Sequence, residues 1–163
     1  MELFHISLRL VFVLMMAGCS GYAPNAKLIG QDRLSVIQSL GQPERETVSP
    51  SGKKLHFPRG PFGSHTYFIH LDTYDRVIGI DQVLTEERFA LITVGMSRDE
   101  VIELIGISKI THGLARQRGY VWHYRYFTDQ CKSFVIEFTQ SDAVRGSGYI
   151  IRSRGKCKYV GPG

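Results

Sequence analysis

The chain is poor in the residues that most directly announce chemistry. Its 163 residues include only three cysteines, one tryptophan and six histidines. No two cysteines form a Cys-x-x-Cys pair, so a thioredoxin-like redox dithiol is missing. His56, His65, His70, His112 and His123 are scattered, with no close helical spacing and no companion cysteine or carboxylate cluster, so no metal is expected. His56 and His70 fall on neighbouring predicted strands and could share a face. There is no Gly-x-Ser-x-Gly elbow, no phosphate loop and no His-Glu-x-x-His. Asp99, Glu100 and Glu103 are accounted for by helix capping and a solvated helix face. These absences argue against an enzyme and imply no cofactor.

Long apolar runs are missing too. The longest candidate, Leu10 to Met16, has seven residues, whereas a bilayer-crossing helix needs roughly 20. It follows Arg9 and precedes Met16-Ala17-Gly18-Cys19, so residues 1–18 read as a signal peptide. A cysteine directly after Ala-Gly resembles the lipobox of bacterial lipoproteins. That resemblance implies acylation (palmitate) at Cys19, which becomes the mature N-terminus. Ser20 after it favours the outer membrane, facing the periplasm. Residues 19–28, with Gly21, Pro24 and Asn25, read as a lipidated tether.

Acidic residues run out near the end. After Asp142 the charged residues are Arg145, Arg152, Arg154, Lys156 and Lys158, within a chain of net charge +5 and pI near 9.2. Nucleic acid is a poor partner for an exported protein. Anionic lipid headgroups or an acidic protein surface fit better, each cation contributing about 1 kcal/mol beside a charged membrane. A solvated basic strand edge that discourages aggregation explains the same residues.

What is present is a repeated pattern. Val94-Gly95-Met96-Ser97-Arg98-Asp99-Glu100-Val101-Ile102-Glu103-Leu104-Ile105-Gly106 reads as a short helix with a Ser97/Glu100 capping box, an apolar stripe of Val101, Ile102 and Ile105, and a closing Gly106. Gly30 and Gly41 precede Gly95 and Gly106 by 65 residues, and at that offset Arg33, Val36 and Ile37 meet Arg98, Val101 and Ile102. In the earlier copy Asp32 replaces the capping serine and Ser35 the box glutamate, with Leu34, Ile37 and Leu40 on one face.

After the first helix, Gly41-Gln42-Pro43 is a stop and Ser49-Pro50-Ser51-Gly52 a turn. Strands are predicted at 55–57, 66–71 and 76–83, with a stiff loop over Pro58–Gly63. Thr85 opens a further helical turn carrying Glu86, Glu87, Phe89 and Ile92. A second meander follows at 120–126, 133–138 and 147–152. A turn centred on position 144 would set Cys131 directly opposite Cys157, within disulfide range in an oxidising periplasm.

The pattern Gly-Met-Ser-x-x-Glu-Val…Leu-Ile-Gly resembles the SmpA/OmlA (BamE-like) family of small bacterial outer-membrane lipoproteins. Residues 77–84 leading into Thr-Glu-Glu-x-Phe-Ala and Gly-Met-Ser extend the likeness to tandem members. The expected fold is α+β: two tandem helix-plus-three-stranded antiparallel meander modules, similar in architecture to β-lactamase inhibitor protein. The modules span 29–84 and 85–158, with 159–163 as a tail. The resemblance implies a non-enzymatic accessory or scaffold in β-barrel outer-membrane protein assembly or envelope integrity, acting by contact with an envelope protein. A periplasmic inhibitor or ligand-binding module using an exposed sheet face is the alternative. Arg59, Phe62 and Tyr67, on or beside the stiff loop, are candidate partner-binding residues.

Overall fold

The structure, a computed structural model, describes residues 23–60, 63–116, 118–126 and 132–151. A 3-10 turn, Ala26–Leu28, precedes helix α1 (Arg33–Leu40). Strands β1 (Arg45–Ser49), β2 (Gly52–Arg59), β3 (His65–Leu71) and β4 (Val77–Gln82) follow. Helices α2 (Glu86–Phe89) and α3 (Arg98–Ile105) lead into β5 (Thr111–Leu114), β6 (Gly119–Arg125), β7 (Lys132–Thr139) and β8 (Val144–Ile151). The strands form two four-stranded antiparallel sheets, ordered β1-β2-β3-β4 and β5-β6-β7-β8. The fold is therefore α+β.

Each sheet has one strand more than the sequence suggests. β1 and β5 are edge strands exposed along most of their length. With neither face buried, they lack the alternating apolar signature of a half-buried strand. β2 also runs through Pro58, which pairs with Thr66. β1 has ended by then, its first residue Arg45 lying opposite His56. The missing proline N–H thus breaks no ladder.

Local chemistry sets the helix ends. In α3 the Glu100 N–H donates to Ser97 Oγ at 3.3 Å, and the Ser97 N–H donates to Glu100 Oε2 at 2.7 Å. In α1 only half of that box exists, the Ser35 N–H donating to Asp32 Oδ1 at 2.8 Å. The buried stripe of α1 is Val36 and Leu40, four residues apart, while Leu34 points to solvent. This corrects the expected stripe of Leu34, Ile37 and Leu40.

The hydrogen bonds that join helix to sheet occur twice. Gly30 N–H donates to Val77 O and Gly95 N–H to Val144 O, both at 2.8 Å. Arg33 N–H donates to Asp75 O at 3.0 Å, and Arg98 N–H to Asp142 O at 2.8 Å. Val77 N–H reaches Gln31 O, and Val144 N–H reaches Met96 O. Asp75 and Asp142 both turn left-handed, with φ of 60° and 63°. Each half also carries a register irregularity, at His70/Leu71 and at Glu137/Phe138.

Two cores result. Val36 and Leu40 pack on Leu55, Phe57, Ile69, Leu71 and Val77. Val101, Ile102 and Ile105, with Phe89 and Ile92, pack on Trp122, Tyr124, Phe134, Ile136 and Phe138. The β7–β8 register, with Phe134 opposite Tyr149 and Glu137 opposite Gly146, centres that hairpin between Ser141 and Asp142. That centre precedes position 144, on which the expected facing of Cys131 and Cys157 was based. Both cysteines lie outside the described residues.

Candidate functional site

The most built polar arrangement is the seam between the two halves. On β2, Leu55 and Phe57 point into the first core, so alternation turns Lys54 and His56 to the other face. There α3 covers them with the side opposite its apolar stripe. Lys54 Nζ lies 2.5 Å from Glu103 Oε2 and donates to Glu103 O at 3.0 Å. It also sits 4.8 Å above the Phe68 ring. Thr47 Oγ1 donates to Glu103 Oε1 at 2.9 Å. Burial alone would raise the Glu103 carboxyl, but the Lys54 and Thr47 hydrogen bonds outweigh it and hold the group below its usual range.

His56 lies beneath this network, 3 % exposed, with its ring 4.2 Å from that of Phe68. Its Nε2 is 3.4 Å from Thr47 Oγ1. Thr47 spends its only proton on Glu103, so its oxygen can only accept from His56. The imidazole proton is thereby placed on Nε2. Nδ1 is left as a lone pair, buried and without a hydrogen-bond partner among the described residues. Burial pushes the imidazole down to about 4, with Lys54 and Arg45 adding to the effect and Glu103 opposing it. His56 and His70 do share this face, His70 Nε2 lying 3.1 Å from Asp81 Oδ2.

Three further ion pairs flank the seam. Arg88 on α2 reaches Asp81 on β4 at 3.0 Å and donates to Leu104 O at 3.2 Å. Arg45 approaches Asp99 at 3.6 Å, and Lys109 meets Glu44 at 2.5 Å. Close backbone approach completes it. Gly106 has φ +79°, and a Cβ there would fall 2.9 Å from Thr66 Cγ2. The arrangement fixes one sheet against the next helix. Among the described residues no cluster of three or more metal-ligating side chains occurs.

The residues singled out from the sequence are dispersed. Arg59 ends β2, where its guanidinium donates to Leu40 O at the close of α1 and lies 5.2 Å from the Phe57 ring. Burial lowers its pKa, and its geometry is that of a helix C-cap. Tyr67 packs against the first core and stacks on His65 at 6.4 Å. Arg145 pairs with Glu137 at 2.5 Å across β7 and β8. Cys19, Phe62, Arg152, Arg154, Lys156 and Lys158 lie outside the described residues. The seam itself escaped sequence reasoning, because Thr47, Lys54 and Glu103 share no local period. A separate open cleft of about 550 Å³ at the β5–β6 turn is lined by Leu114, Arg118, Tyr120 and Gln140. Among the described residues no helix is long and apolar enough to cross a membrane.

No family model matches the chain, and no curated protein matches it. Among solved structures, the chain is similar to an extracellular protein containing an SCP domain from Bacillus anthracis str. Ames, with 11 % identity and a TM-score of 0.30. The match covers 82 % of this chain and 47 % of that one, so the chain spans about half the length of this neighbour.

Proposed function

We propose that this is a non-enzymatic lipoprotein, held at the periplasmic side of the outer membrane through acylated Cys19. In this reading it serves as an accessory or scaffold in β-barrel outer-membrane protein assembly or envelope integrity. The observation that carries the reading is the duplicated helix-to-sheet junction. The segment holding Gly-Met-Ser-x-x-Glu-Val is a capped helix, and its junction bonds recur at Gly30–Val77. That supports two BamE-like modules in tandem. The charged seam between them joins two sheets into a scaffold suited to contact with a protein partner.

The test is in-cell crosslinking of the tagged, lipidated protein, followed by affinity purification and mass spectrometry. Near-stoichiometric recovery of barrel-assembly proteins upholds the proposal. Recovery of one other envelope protein, with saturable inhibition of it, favours the inhibitor reading. One feature speaks for that second reading. On the face of sheet β5–β8 turned away from α3, Val121 and Val135 are half-buried and Ile150 is exposed. They lie along a diagonal of that face, with Glu137 opposite Val121 and Ser133 opposite Ile150, and this mixed face would receive the partner.

A further inference from the structure

The ribbon formed by residues 30–33 beside 75–77 carries exposed apolar side chains at all four of its corners. Ile29 and Ile78 stand at one end, 48 % and 62 % exposed; Leu34 and Tyr74 stand at the other, 62 % and 84 % exposed. Three backbone hydrogen bonds and the Asp32–Arg76 bridge tie the two segments together, so these corners are neighbours in space. The equivalent junction in the second half provides an internal comparison. Its corners are Val94, Asp99, Ser141 and Arg145, with Asp99 facing Arg45 and Arg145 paired to Glu137. The same architecture thus tolerates polar residues at three of four corners. Apolarity at all four is confined to the half that follows Cys19.

The charges around the ribbon balance, with Asp32, Asp72 and Asp75 set against Lys27, Lys53 and Arg76, so the apolar corners and not net charge carry the contact. Asp32 Oδ1 accepts from Ser35 N–H, and Asp72 Oδ1 accepts from the Tyr74 and Arg76 N–H groups. Asp75 is paired with Lys53 at 2.7 Å. Lys27 and Arg76 add exposed positive charge beside the ribbon. From Cys19 to Asn25, which caps the 3-10 turn, is six residues, a reach of about 20 Å when fully extended. We propose that Ile29, Leu34, Tyr74 and Ile78 form a rim that rests in the headgroup layer of the bilayer and orients the first sheet relative to the membrane. The proposal builds on the reading of Cys19 as the lipid anchor. Shallow burial of a few apolar side chains is the physics of interfacial binding, and it adds a second contact to the acyl chains.

The experiment uses the full lipidated protein in nanodiscs of phosphatidylethanolamine and phosphatidylglycerol doped with a nitroxide-labelled lipid. Backbone amide NMR signals are compared with and without the label. Loss of signal at 29–34 and 74–78, with β6 and β7 untouched, supports the rim, as does recovery of those signals in Ile29→Ser/Ile78→Ser. Both side chains are exposed, so that variant keeps its core. Undiminished signals at these amides in the anchored protein overturn the rim and leave the anchor standing. Equal loss at 94–99 and 141–145 overturns it as well. Shielding that depends on protein concentration and not on the labelled lipid assigns the ribbon to a second copy and also overturns it. Flotation of the protein from bacterial membranes reads the anchor separately: a chain that does not float removes the anchor, and the rim with it.

Discussion

Thr47 and Glu103, on an edge strand of one sheet and the helix of the next, are joined by a 2.9 Å hydrogen bond that also fixes the tautomer of His56. The bond uses the threonine's only proton, and the oxygen's remaining capacity faces the imidazole. One carboxylate therefore holds Lys54, Thr47 and, through Thr47, the buried ring.

Removing that carboxylate charge tests the seam. Glu103→Gln leaves Lys54 without its ionic partner in a half-buried site. The expected loss is about 1–2 kcal/mol of stability, between the values for exposed and fully buried pairs. Urea unfolding of the two proteins at pH 7 measures it, and an unchanged midpoint would show that the pair is neutral.

His56 makes the seam sensitive to acid. Its folded pKa of about 4 lies below the ordinary 6.5, so the folded state binds fewer protons in that window. The contribution is complete above 6.5 and declines as the pH falls toward 4, by up to about 3 kcal/mol. His65, also lowered by burial, acts in the same direction. The difference between wild type and His56→Gln isolates the His56 share. Glu103, whose pKa is depressed below 4.5, loses its contribution only at lower pH. Unfolding midpoints between pH 4 and 7.5 read the histidine component, and parallel curves for the two proteins would refute it.

Two glycines separate backbone strain from seam packing. Gly41 and Gly106 end the two helices with nearly the same dihedrals, φ +78° with ψ −168° and φ +79° with ψ 179°. A Cβ at Gly41 meets nothing within 4 Å, whereas one at Gly106 meets Thr66 at 2.9 Å. Gly41→Ala is expected to cost about 1–3 kcal/mol from conformation alone. Gly106→Ala should cost more, the excess reporting how closely α3 lies on the first sheet. Equal losses would mean that the Thr66 side chain gives way freely.

Arg59 is best tested by stability before binding. Its guanidinium satisfies a carbonyl at the end of α1, so Arg59→Ala should lower stability by about 1–2 kcal/mol. Partner recovery that fell with no change in melting would support Arg59 as a contact residue.

The legible parts of the fold were those whose signal is local. Ser97 with Glu100, Thr85 ahead of Glu86 and Glu87, and Gly41 and Gly106 marked helix ends by chemistry acting within one turn. β3, β6 and β7 were legible from dense runs of β-branched and aromatic residues, β3 with both faces buried, by the first core and by the seam. β1 and β5 bury neither face and were missed. In β4 the irregularity at His70/Leu71 brings Val77 and Ile80, three residues apart, onto the core side and leaves Ile78 outside. No strict two-residue period could anticipate that. The seam was illegible for a different reason: Thr47 and Glu103 lie far apart in sequence, and ion pairs carry no periodicity. The 65-residue spacing of the glycines was readable, whereas the bonds that recur at Gly30 and Gly95 join segments far apart in sequence.

The placement of α3 gives the molecule a direction. One side of that helix serves the sheet that follows it, and the other side covers the sheet that precedes it. Packing of this kind is head-to-tail, with different surfaces meeting at each joint, and such joints do not close on themselves after two members. Among the described residues α1 covers no earlier sheet, and no α3-like helix covers the outward face of β5–β8. In a stack of this geometry the two ends would present different surfaces, one helical and one a sheet face.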